Sequence, residues 1–152
     1  MSGEPPTRAD YVYLLPITTR WQDNDMHGHV NNVLYYSFFD TVVTQWLITE
    51  ARHDVRTADV IGLCVDSHCS FHAPLTFPGV VDGWLRVGHI GRSSVRYEIA
   101  LFTEGSDECA ATGEFVHVYV NRDDRLPCEI PARLREALER LGARSCTTVD
   151  SR

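Results

Sequence analysis

The chain has 152 residues, with 14 Arg and Lys against 21 Asp and Glu, and a net charge of -7. Every basic side chain is Arg, which excludes lysine Schiff-base chemistry, and an acidic chain without a basic stripe repels phosphate backbones, which excludes nucleic acid as a partner. The 43% hydrophobic and 23% charged composition is that of one globular domain, which at this length buries roughly 70% of its unfolded surface without needing disulfides.

Five cysteines, Cys64, Cys69, Cys109, Cys128 and Cys146, are odd in number and show no C-x-x-C spacing. The opening MSGEPPTRAD lacks the apolar core of a signal peptide, and no run of about 18 apolar residues could span a membrane. A reduced, cytoplasmic protein is expected.

Residues 1–10, polar and holding Pro5 and Pro6, are expected to be disordered. Residues 11–141 read as one domain, and 142–152 as a flexible tail. Tyr11 to Thr19 is β-branched and aromatic enough for a strand, with Pro16 pointing to an edge position or a bulge.

Asp23 to Asn32 reads DNDMHGHVNN, with two carboxylates, two imidazoles, one glycine and asparagines packed into ten residues. Val33 to Arg52 follows without Gly or Pro. Its Tyr35, Phe38, Phe39, Val42, Val43, Trp46 and Leu47 recur at helical spacing, while Val33, Leu34, Tyr36 and Ile48 spread the apolar surface around the helix and predict that it is mostly buried. Asn31 or Asn32 is the natural N-cap. The helix start carries free N–H groups and about half a positive charge, which stabilise a carbonyl oxygen that turns negative during reaction.

Val60 to Ala73 alternates, placing Ile61, Leu63, Val65, Cys69, Phe71 and Ala73 on one face and Asp66, His68, Ser70 and His72 on the other. Val80 to Ile90 is the next strand, Gly91-Arg92-Ser93 a hairpin turn, and Val95 to Leu101 its partner. Ala110 to Val120 is the last strand, with Phe115, His117 and Tyr119 facing one way and Val116, Val118 and Val120 the other. A short helix follows Pro131.

Strand, long helix and four more strands joined mostly by short turns give an α+β layer. The order fits the hotdog fold, a curved antiparallel five-stranded sheet wrapped around one long central helix, here with a short C-terminal helix.

The run Arg20-Trp21-Gln22-Asp23-Asn24-Asp25-Met26-His27-Gly28-His29-Val30-Asn31-Asn32, followed by Tyr35, resembles the acyl-CoA thioesterases of the 4-hydroxybenzoyl-CoA thioesterase type. The resemblance implies hydrolysis of an acyl-CoA, with coenzyme A as part of the substrate and no separate cofactor. It implies that Asp25 is the catalytic carboxylate, as nucleophile or general base, and that the Asn32 backbone N–H polarises the carbonyl. It maps the CoA-phosphate contact to Gly91, Arg92, Ser93 and Ser94, and it implies a homodimer or homotetramer with active sites at the protomer interface. The loop is also similar to that of plant-type acyl-acyl-carrier-protein thioesterases, whose functional residues match Asp25, His27 and His29.

Weighed residue by residue, Asp23 reads as a loop brace and His29 as a secondary catalytic candidate. His68, with Ser70 and His72, could line the acyl or pantetheine path. His27 and His29 with Asp23 and Asp25 form only a weak metal motif, and no metal site is expected. A non-catalytic acyl-CoA-binding protein is the alternative from another class. HAPLTFPG, His72 to Gly79, only faintly resembles a hotdog dehydratase loop.

Overall fold

A computed structural model of the chain describes residues 3–142. The tail expected from 142 onward lies outside these residues except for Gly142, which ends the last helix. The elements are β1 (Tyr13–Thr18), α1 (Val33–Thr49), β2 (Val60–Phe71), β3 (Val80–Ile90), β4 (Ser94–Thr103), β5 (Cys109–Asn121) and α2 (Ala132–Leu141). The strands form one antiparallel sheet in the order β1-β3-β4-β5-β2. This is the hotdog architecture.

Pro16 sits in β1 at the sheet edge, where its missing N–H costs no ladder bond. α1 lies on the inner face of the sheet. Gly83 and Gly113 make that approach possible, because a Cβ at either position would strike Val42 or Phe39 of the helix. Tyr35, Phe38, Phe39, Val42, Val43, Trp46 and Leu47 are buried there. The expectation of a mostly buried helix is corrected: the sheet covers one side, and Tyr36, Asp40, Thr41, Thr44 and Gln45 do not join the core. The helix also stops at Thr49 rather than near Arg52. Arg52 is left-handed at φ 55, and the amides of Ala51 and His53 reach back to the carbonyls of Trp46 and Leu47.

β2 departs from simple alternation. Its register against β5 shifts between Cys64 and Asp66, so a bulge at Val65 exchanges the faces. Gly62 and Cys64 pair with the inward Tyr119 and His117, and after the bulge Ser67, Cys69 and Phe71 take the inner face. Ile61 and Leu63 therefore share the outer face with Asp66, His68 and Ser70, contrary to the single apolar face expected.

The start of the chain is also more structured than expected. Arg8–Asp10 forms a 3-10 turn capped by Thr7, and Arg8 binds Asp82 at 2.8 Å and the carbonyl of Ser106. Tyr11 then buries its ring on the outer face with Ala100, Phe102 and Cys109. A guanidinium over Phe102 and a buried tyrosine outweigh the polarity of the segment around them.

Candidate active site

The site forms where the loop after β1 turns into α1. Asp23, 1% exposed, accepts from the Arg20 backbone N–H at 2.7 Å and from Arg20 Nη2 at 2.9 Å, while its own carbonyl accepts from Asn31 N–H at 2.9 Å. Asp23 is thus committed to holding the loop closed.

Asp25 sits at the tip. Its N–H donates to the His29 carbonyl at 3.0 Å and its carbonyl accepts from Gly28 N–H at 3.1 Å, a turn that needs Gly28 at φ 79. The half-buried Asp25 carboxylate accepts from His27 N–H at 2.8 Å through Oδ1 and from Asn31 Nδ2 at 3.3 Å through Oδ2. Asn31 Oδ1 in turn accepts from Val33 N–H at 3.0 Å. Asn31, not Asn32, therefore supplies the side-chain cap. Among the described residues the exposed Asn32 N–H meets no acceptor, which leaves it free for a ligand oxygen at the positive end of α1.

The β2–β3 connection holds this loop from behind. Phe77 N–H donates to Asn24 Oδ1 at 3.2 Å, Val30 N–H donates to the Leu75 carbonyl at 2.8 Å, and Trp21 packs edge-on against Phe77. His27 and His29 contribute backbone groups to the turn while both side chains stay exposed. Sequence reading offered Asn31 as a cap but missed its bond to Asp25, and it missed Asn24, which nothing local marks.

The other predicted contacts lie elsewhere in the chain. Gly91 to Ser94 turn at the end of the sheet where Ser94 pairs with Val118, whereas the Asp25 loop abuts the end near Ala110, up to about 27 Å along β5. The carbonyls of Gly91, Arg92 and Ser93 accept from Arg135 Nη2, Ile130 N–H and Tyr119 N–H at 2.7, 3.0 and 2.7 Å. Arg92 leaves its side chain exposed. His68 stands on the outer face opposite Glu114, with Nε2 3.1 Å from Ser70 Oγ. Among the described residues no group of three or more His, Cys, Asp or Glu side chains could hold a metal ion, and no helix is long and apolar enough to cross a membrane.

The thioesterase-like superfamily matches residues 19–138, from Thr19 at the end of β1 through the loop and sheet to α2. The chain belongs to this superfamily. Among solved structures it is similar to the PA5185 protein from Pseudomonas aeruginosa, with 50% identity, a TM-score of 0.87, and 90% of this chain and 96% of that chain covered. The PA2801 protein of the same organism matches at 26% identity and a TM-score of 0.79, covering 84% of this chain and 98% of that one. The 1,4-dihydroxy-2-naphthoyl-CoA thioesterase Slr0204 from Synechocystis, at 15% identity, shares the fold with a TM-score of 0.76 over 83% and 94% of the two chains. Comparison with curated proteins gives no match.

Proposed function

We propose that this thioester hydrolase cleaves an acyl-CoA to the free carboxylic acid and CoA, with Asp25 as the catalytic carboxylate. One observation carries the reading: a carboxylate fixed by His27 N–H and Asn31 Nδ2 stands beside a helix start whose Asn32 N–H is uncommitted. The thioester oxygen accepts from Asn32 N–H, which draws charge off the carbonyl carbon. Asp25 then acts in one of two ways. It adds to that carbon and expels CoA thiolate, leaving a mixed anhydride for water to open, or it takes a proton from the water that attacks.

The separation of the 91–94 turn from Asp25 favours a dimer. β2 is a twelve-residue edge strand with Val65 60% exposed, an unguarded edge of the kind that pairs with another strand. A two-fold axis makes two copies of β2 antiparallel. The partner's Val60 end, which carries its 91–94 turn, then lies beside this chain's Phe71 end and its Asp25 loop. Arg92 would meet the CoA phosphates across that junction through its planar fork. The four described cysteines are all free, in keeping with a reducing compartment such as the cytoplasm.

The test is release of free thiol from acetyl, medium-chain, long-chain and aromatic acyl-CoAs and from acyl-carrier-protein thioesters. Turnover of at least one CoA thioester is expected. Cleavage of carrier-protein thioesters alone would move the assignment to the plant-type relatives, and tight acyl-CoA binding without turnover would move it to a binding protein.

A further inference from the structure

The Asp25 turn is held from inside the loop and from behind it. Inside, the carboxylate is fixed by His27 N–H and Asn31 Nδ2, groups that belong to the loop itself. From behind, the turn is tied to the sheet through its two legs, Asn24 and Val30, which pair with each other as an isolated antiparallel bridge. Val30 N–H donates to the carbonyl of the buried Leu75 at 2.8 Å. Phe77 N–H donates to Asn24 Oδ1 at 3.2 Å. The first tie is backbone to backbone and does not depend on which side chain stands at Val30. The second exists only through the side chain of Asn24, the residue directly before Asp25.

An amide suits that position because it carries both an acceptor and a donor. While Oδ1 takes the Phe77 N–H, Nδ2 faces the Gly28 carbonyl across the turn at 3.5 Å, and Gly28 N–H donates to the Asp25 carbonyl at 3.1 Å. One uncharged group therefore spans from the β2–β3 connection to the far side of the turn, with Asp25 between its two ends. The other contact in this region, the Trp21 ring set edge-on to Phe77 at 6.0 Å, involves a tryptophan that is 72% exposed and fixes no atom of the turn. A reacting carboxylate tolerates little displacement, since about 1 Å of misplacement can cost about 100-fold in rate.

We infer that Asn24 is a positioning residue for Asp25, registering the turn against the β2–β3 connection through the Phe77 N–H. Asn31 sets the carboxylate against the start of α1, and Asn24 sets the turn that carries it against the sheet. Asn24 acts through Asp25 and does not touch the thioester. This rests on the reading of Asp25 as the catalytic carboxylate and adds the side chain that places it.

The experiment combines steady-state kinetics on the best acyl-CoA with amide hydrogen exchange followed by NMR, on Asn24→Ala, Asn24→Asp and Phe77→Leu. Asn24→Ala is expected to lower kcat about 10- to 100-fold while KM stays within about threefold. Asn24→Asp returns an acceptor to the Phe77 N–H, and at about pH 8, where neighbouring carboxylates are all ionised, it should bring kcat back to within about threefold of wild type. Phe77→Leu keeps the N–H and removes only the ring contact, so its kcat should match wild type. Wild-type kcat in Asn24→Ala, a loss that Asn24→Asp does not recover, or an equal loss in Phe77→Leu overturns the inference. If Asn24→Ala does not fold, Asn24→Gln takes its place: the same amide set one methylene further out should lower kcat at unchanged KM, and wild-type kcat there overturns the inference. Exchange of the Phe77 amide reads the tie without turnover and should quicken about tenfold in Asn24→Ala; unchanged protection overturns the inference. A wild type that cleaves no acyl-CoA while exchange responds removes the hydrolase reading and leaves the tie standing. Wild-type turnover with neither kcat nor exchange altered in the variant removes only the role of Asn24.

Discussion

Asn31 joins the carboxylate of Asp25 to the first turn of α1, donating Nδ2 to Asp25 Oδ2 at 3.3 Å and accepting Val33 N–H on Oδ1 at 3.0 Å. The proposed catalytic carboxylate and the start of α1 are therefore held by one side chain. Asn31→Ala should cost about 1 kcal/mol as a lost cap and lower kcat about 10- to 100-fold. Asn31→Asp keeps the cap acceptor but sets a second carboxylate against Asp25, so it should retain stability and still lose rate. Thermal melts and steady-state kinetics on the two variants separate these effects.

Asp23 works on structure. Asp23→Ala strands the Arg20 backbone N–H and guanidinium that it accepts, and urea denaturation should show a loss of about 1–3 kcal/mol. Activity should fall only as far as the loop loosens, well short of the loss at Asp25.

The close seat of α1 is testable at Gly113. An added methyl would meet the Phe39 ring, which has no exposure to yield into. Gly113→Ala should destabilise by about 1–3 kcal/mol, and Phe39→Leu in the same chain should recover part of that loss.

One buried and one half-buried histidine, His117 and His53, give the stability a pH dependence. Burial lowers the pKa of His117 against the pull of Asp40, and lowers that of His53 against the bond it makes to the Val60 carbonyl at 2.9 Å. The unfolded chain then binds protons first as pH drops. Stability from these groups is complete above the ordinary histidine pKa of about 6.5 and is lost progressively below it. Denaturation midpoints should fall between pH 7.5 and pH 5, and His117→Phe should flatten that slope.

Most of this architecture was legible because it is local. Pro16 marked an edge strand, Gly91-Arg92-Ser93 marked the β3–β4 hairpin, and the spacing from Tyr35 to Leu47 marked α1. What escaped depends on partners distant in sequence. The bulge at Val65 exists only through pairing with β5, so alternation alone placed Ile61 and Leu63 on the wrong face. The order of Arg8–Asp10 comes from Asp82 and Phe102, more than 70 residues away. Asp25 stood out by its loop, whereas Tyr36, Phe115 and His117 become neighbours only when α1 lies across β5.

The role of Asp25 is read from kcat of Asp25→Asn on the best acyl-CoA substrate, with the fold checked by circular dichroism. Removing a positioned catalytic carboxylate should cut kcat by about 10²- to 10⁴-fold while the spectrum is unchanged. An Asp25→Asn enzyme that releases CoA at the wild-type rate would contradict the account, and His29 would be the next side chain to replace.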